Sequence, residues 1–247
     1  MTWVTGPHKA RRRRPAAPGR SRIGQDGRVP KIVDRESRRA EIVTAYLRLV
    51  ARDGVQQATS RAVAAELGVA SGALWRYFAD FDEVLSAAFR RIFDQTNERI
   101  AAGTEGRRGL AAVVAMIAEI LPLSPVTHDE ALVVVNFWGR IPSRPDLAAF
   151  QSQAEGVWRT QLLSHLACAE ADGELRPEAP LHLLADTLLV LGIGQQVEHV
   201  LRTDVSRPAR QWQLVVGLLA PWLTPAGRAG GALPVPAPDV PHTAPPG

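Results

Sequence analysis

Six histidines, one cysteine and 25 carboxylates hold most of the acid–base, nucleophilic and metal-binding chemistry open to this 247-residue chain. Their spacing builds no catalytic set. His165, His182 and His199 fall singly on two long helical stretches, and no H-E-x-x-H or related metal spacing occurs. Asp129 and Glu130 read as helix-start residues, not as an acid–base pair. Cys168, being alone, excludes an intrachain disulfide framework and a multi-cysteine metal cluster. No G-x-S-x-G run, Walker-type run or Gly-rich dinucleotide turn is present. The expectation is a protein that is not an enzyme and uses no cofactor or metal.

A different chemistry is concentrated in residues 58–78, ATSRAVAAELGVASGALWRYF. Thr59 can cap a short helix whose inner face is Val63, Ala64 and Leu67. Gly68 permits a tight turn, and Val69 is expected to fill the corner between helices. A second short helix buries Leu74 and Phe78, one turn apart. Ser71, Gly72, Trp75 and Arg76 are left facing outward. Two short helices across a Gly-containing turn, the second with a polar and aromatic outer face, form the helix-turn-helix layout. In that layout the second helix enters the DNA major groove and the first crosses the backbone. Arginine suits such a face, because its planar fork matches guanine edges and phosphates.

The run from Arg39 to Leu85 resembles the DNA-binding domain of the tetracycline-repressor (TetR) family of regulators. The residues that carry the resemblance are Ile42, Ala45, Gly54, Thr59, Arg61, Val63, Ala64, the pair Gly68-Val69, the run Gly72-Ala73-Leu74, Tyr77-Phe78 and Leu85. The resemblance implies that Thr59 caps the first helix of the motif and touches phosphate, and that Arg61 lies against the DNA backbone. It places Ser71, Gly72, Ala73, Trp75 and Arg76 in the groove and Tyr77 at a phosphate. Three positions depart from the pattern. Ala70 stands where a Ser cap is usual, Trp75 replaces the usual Tyr, and Phe81 stands where a phosphate-binding Lys is usual.

The elements that must hold this segment all read as helices. Ile42, Ala45, Tyr46, Leu49 and Val50 recur at three- and four-residue spacing before Gly54. Val84, Leu85, Ala88, Phe89, Ile92, Phe93 and Ile100 mark a long helix with Asp80 as its N-cap. Leu110 to Leu121 form another, ended by Pro122. Thr127 with Glu130 has capping-box spacing and starts a helix through Trp138. Pro145 opens a helix running to Gly173, Pro180 opens the next, and a last one covers about 206–221. The fold class is all-α, with an N-terminal helix-turn-helix domain over 34–82 and a C-terminal helical ligand-binding and dimerisation domain over 83–224. Residues 1–33 and the Pro/Gly-rich 225–247 read as disordered tails.

A single recognition helix reads only a few base pairs. The resemblance therefore implies a homodimer on a pseudo-palindromic operator, its reading helices about one DNA turn, roughly 34 Å, apart. The long helices 146–172 and 180–201 are expected to pair with their mates through Trp158, Leu162, Leu166, Leu184, Leu188 and Leu191. Ile117, Phe137, Phe150, Trp138 and Trp158 are the candidate lining of a pocket for a small apolar ligand that releases the DNA.

The net charge of +4 is unevenly placed: residues 1–39 carry twelve Lys/Arg against three Asp/Glu, and the rest is slightly acidic. Residues 40–85 hold four Arg against six Asp/Glu. This balance leaves open a helical sensor or scaffold whose motif no longer binds DNA. The start, MTWVTGPHKARRRRP, has no apolar stretch after its charges. The most apolar window, Leu181 to Ile193, is interrupted by His182 and Asp186 and is too short to span a bilayer. A cytoplasmic protein without a membrane partner is expected.

Overall fold

The computed structural model describes residues 31–233, with side chains described from Asp34 onward. The Arg-rich run at 11–14 and the last Pro-rich residues lie outside the described residues. Helix α1 spans Lys31–Asp53, so residues 31–33, expected in the tail, are already helical. It buries Ile42, Ala45, Tyr46, Leu49 and Val50 and stops at Gly54, whose N–H reaches the Val50 carbonyl at 3.0 Å. Helix α2 spans Ser60–Glu66 under a Thr59 cap. Helix α3, Phe81–Thr104, starts on Asp80, whose carboxylate accepts from the Glu83 N–H at 2.8 Å.

Beyond these lie α4 (Gly109–Ile120), α5 (Pro125–Trp138), α6 (Pro145–Ala171), α7 (Leu181–Leu201), α8 (Pro208–Leu219) and the short α9 (Pro225–Ala229). The one β feature among the described residues is an isolated bridge between Leu175 and Leu223. The all-α class follows directly. The apolar faces close two cores. One joins α1, α2 and the first half of α3 to Val133, Val134 and Phe137 of α5. The other joins Ile100 of α3 to α4, α6, α7 and α8. Helices α3 and α6 enter both, α6 through Leu147 in one and Leu162 in the other, so these two tie the N-terminal domain to the body.

Four further expectations change. The cap of α5 is Ser124, not Thr127: Pro125 takes the N1 position, and Ser124 and Thr127 bond each other's backbone N–H groups. Val69 does not fill a corner; it is 44% exposed. The turn closes on backbone instead, with Val69 N–H on Ala64 C=O and Gly68 N–H on Ala65 C=O, both at 3.0 Å. Gly68 supplies the left-handed φ of +66° that this motif requires.

Leu162, Leu166, Leu184 and Leu188, expected at a dimer seam, are fully buried within the chain, and Leu191 and Trp158 are partly buried. Helix α4 packs against α6, and α7 against α6, α5 and α8, so the second core of the monomer takes up these leucines. The outward face of α6 and α7 carries Val157, Leu183, Val190 and Leu201 instead.

The chain also does not lose order at 224. Thr224 caps α9, its hydroxyl donates to the Gly173 carbonyl at 2.6 Å, and its N–H donates to the Glu174 carbonyl at 3.0 Å. Gly227 lies so close to Glu174 that a β-carbon there would stand 2.1 Å from the Glu174 carbonyl oxygen. Proline and glycine density forbids a long helix, but five residues starting on Pro225 need only one cap.

Candidate nucleic-acid interface and internal cavity

The reading segment Ser71–Arg76 is a 3₁₀ helix, not a turn of α-helix. Ala70 has no side chain to accept from the first N–H groups, so Ala73 N–H closes on the Ala70 carbonyl at 2.8 Å. Leu74 and Phe78 are buried and anchor it. Ser71, Gly72, Trp75 and Arg76 are exposed, and Ala73 and Tyr77 are partly covered. Thr59 accepts from Ala62 N–H at 3.3 Å, with the exposed Arg61 beside it. The segment therefore presents one contiguous polar and aromatic edge. Arg61 and Arg76 form no ion pair among the described residues. Phe81, in the position of the usual Lys, packs edge-on to Tyr46 with ring centroids 5.7 Å apart.

A residue outside the motif holds this edge in place. Arg39 of α1 donates to the Tyr77 carbonyl, pairs with Glu83 at 2.8 Å and lies 4.0 Å over the Phe78 ring. The Ala79 N–H, and then the Arg39 guanidinium, hold the Glu83 carboxyl below its ordinary range against partial burial. From the other side, Arg140 reaches Asp82 at 3.1 Å and Arg144 reaches Asp80 at 3.8 Å. Both arginines sit in the turn between α5 and α6.

The same α3, α5 and α6, with α4 and α7, enclose a cavity of about 50 Å³. Phe89, Phe93, Trp138 and Trp158 form its aromatic wall, and Glu119, Glu130, Glu155, Gln151 and Gln196 its polar one. Both indoles are oriented by their N–H groups, Trp138 on Gln151 at 2.9 Å and Trp158 on Asn97 at 2.8 Å. Behind the wall, Arg99 bonds Glu119 at 2.8 Å and both oxygens of Glu130 at 3.0 and 2.8 Å. Burial pushes the Glu130 carboxyl up, against the pull of Arg99. The Gln196 side-chain oxygen is buried without a hydrogen-bond partner.

Of the residues expected to line a pocket, Trp138 and Trp158 do so, while Ile117, Phe137 and Phe150 do not. Phe137 follows its own helix turn away from the cavity and stacks flat on Phe89, centroids 3.9 Å apart. Phe150 meets Phe89 edge-on and lies under Arg90, and Ile117 belongs to the second core. The polar lining was missed. Its signal was present as hydrophilic residues on apolar helix faces: Thr96 with Arg99, Gln151 with Glu155, and Gln196. Glu130, read as part of a cap, is instead a cavity carboxylate.

Residues 42–88 match the family model described as bacterial regulatory proteins of the tetR family, and residues 109–223 match the model for the C-terminal domain of BetI-type transcriptional repressors. The HTH-type transcriptional regulator BetI of Paraburkholderia phymatum is 32% identical over 181 residues, which cover 71% of this chain and 88% of that protein. The chain belongs to the TetR family. As a TetR-family protein it is a DNA-binding transcriptional regulator and not an enzyme. A second relative, the HTH-type transcriptional regulator PksA of Bacillus subtilis, is 26% identical over 167 residues, which cover 67% of this chain and 80% of that protein.

The fold recurs in solved structures. A transcriptional regulator from Saccharomonospora viridis in complex with choline superposes with a TM-score of 0.67 at 19% identity, covering 75% of this chain and 96% of that one. One from Rhodococcus gives 0.63 at 23% identity, covering 74% and 95%. Among the described residues of this TetR-family chain, no single helix is long and apolar enough to cross a membrane.

Proposed function

We propose that the chain acts as a homodimeric repressor that a small organic cation releases from a pseudo-palindromic operator. The single observation that carries the DNA reading is the outward edge from Ser71 to Arg76, held by buried Leu74 and Phe78 and clamped by Arg39. Ser71, Gly72, Ala73, Trp75 and Arg76 meet bases in the major groove, while Thr59, Arg61 and Tyr77 meet phosphates. With Phe81 turned into the core, no lysine serves the backbone there. The twelve Lys/Arg of residues 1–39 support additional, sequence-independent attraction. Two copies pair through the outward face of α6 and α7, where Val157, Leu183 and Val190 offer apolar contact.

An organic cation fits the cavity better than the purely apolar ligand that the aromatic pattern alone suggested. Aromatic faces attract quaternary ammonium groups through their negative π-surfaces. Three carboxylates line the cavity and one arginine answers two of them. The buried oxygen of Gln196 is an acceptor for a ligand hydroxyl. Choline, bound by the regulator from Saccharomonospora viridis, combines these two groups. The free space is small, so such a ligand must move a wall, and wall movement gives the two states differential affinity.

Selection of bound sequences from random DNA, with and without choline, tests the reading. A palindromic consensus whose recovery falls when choline is added is the expected result. Asymmetric or absent enrichment refutes the dimeric operator reading, and enrichment indifferent to choline refutes the ligand.

A further inference from the structure

We infer that Glu155, rather than the Glu119–Glu130 pair, is the counter-ion that makes the cavity select a cation over a neutral molecule of the same shape. The inference rests on the organic-cation reading above and assigns its charge recognition to one residue.

The three carboxylates of the lining differ in their partners. Arg99 lies behind Glu119 and Glu130 and engages three of their four oxygens: its Nε bonds Glu119 at 2.8 Å, and its two terminal nitrogens take both oxygens of Glu130. Thr96 accepts a further bond from the same guanidinium at 3.1 Å. The bidentate pair fixes both Glu130 oxygens on one guanidinium, whose single charge offsets one of the two carboxylates. Glu155 is the third carboxylate of the lining, and it forms no hydrogen bond or ion pair among the described residues. The nearby cations are engaged elsewhere. Arg159, four positions on, pairs with Asp186 at 2.5 Å, and Arg90 lies 3.9 Å over Phe150.

The position of Glu155 on its helix suits the task. Gln151, Ala154, Glu155 and Trp158 all line the cavity from α6, at the spacing of one helical face. Glu155 is therefore the neighbour of the Trp158 ring, which leans on Phe93 with centroids 5.3 Å apart and has its N–H held by Asn97. A carboxylate beside an oriented aromatic pair offers a trimethylammonium group both a counter-charge and π-faces.

The test compares choline with its uncharged isostere 3,3-dimethylbutan-1-ol by calorimetry on the full-length protein. Wild type should prefer choline. Glu155→Gln should weaken choline by about tenfold or more while leaving the neutral isostere unchanged, which also reports an intact cavity. Glu155→Asp, which keeps the charge on a shorter stem, should restore part of the preference. Glu119→Gln should leave the preference for choline standing. If Glu155→Gln keeps the wild-type preference, or if Glu119→Gln is the variant that loses it, the assignment is overturned. If wild type binds the two probes alike, the organic-cation reading itself fails, and the role of Glu155 with it.

Discussion

Arg140, two residues beyond the cavity-lining Trp138, stands 3.1 Å from Asp82 in the first turn of α3. Asp80, the cap of that helix, faces Arg144 from the same turn, and the reading segment ends only a few residues before. The turn that follows the cavity helix α5 and the start of α3 are thus joined by two charge pairs. The expectation is that these pairs carry a displacement of Trp138 by a ligand to the start of α3. Arg140→Ala should leave choline binding and operator binding each within a few-fold of wild type. The ligand-induced loss of operator affinity, typically about 1–3 kcal/mol in coupled systems, should shrink. Operator titrations with and without choline measure it; an undiminished ligand effect means that coupling runs elsewhere.

Arg76 is exposed and has no ion pair among the described residues, beside an equally exposed Trp75. If its guanidinium takes a guanine edge, Arg76→Ala costs roughly 1–3 kcal/mol and relaxes preference at that base pair. Competition gel shifts on operator variants read both effects. Unchanged affinity and unchanged preference would remove Arg76 from the contact set.

Two positions on α7 separate dimerisation from folding. Val190 is 65% exposed and Leu188 is fully buried. Val190→Arg should give monomers of native helicity that no longer bind the operator tightly. Leu188→Arg should instead cost about 3–5 kcal/mol of stability, because it places an unpaired charge in the second core. Sedimentation and thermal melts distinguish them. A dimeric Val190→Arg protein would place the interface on another face.

Glu83 ties stability to pH with a definite sign. Its carboxyl is held low by the Ala79 N–H and by Arg39, so its contribution is present above the ordinary carboxylate range. That contribution is lost as pH falls through the lowered folded value. Glu130 works in the opposite sense, since burial raises its carboxyl and acidification relieves that cost. The wild-type melting temperature should therefore exceed that of Glu83→Gln at neutral pH, and the gap should close on acidification. A gap independent of pH contradicts the assignment to ionised Glu83.

Most of the helices were legible in the chain itself, because helical period and caps are local. Gly54, Gly68, Asp80, Pro145 and Gly173 mark helix ends where the structure has them. The burial of Leu74 and Phe78 and the exposure of Trp75 and Arg76 also followed from spacing alone. The helix-turn-helix layout and the family resemblance needed nothing more than residues 39–85.

What depended on tertiary structure was which apolar face meets which. Leu162, Leu166, Leu184 and Leu188 look the same in sequence whether they face a second copy or α4 and α8; only packing assigns them to the monomer. The polar cavity was hidden for the same reason. Thr96, Arg99, Glu119, Glu130, Glu155 and Gln196 come from five helices. The sequence by itself determined an all-α chain with an outward reading edge, because periodicity is a property of neighbours. Tertiary structure alone decided the clamp of Arg39 on Tyr77, the charge pair of Arg140 with Asp82, and the contrast between the saturated Glu130 and the unpaired Glu155. Each of these joins residues far apart along the chain, and their contacts exist only once the two cores have closed.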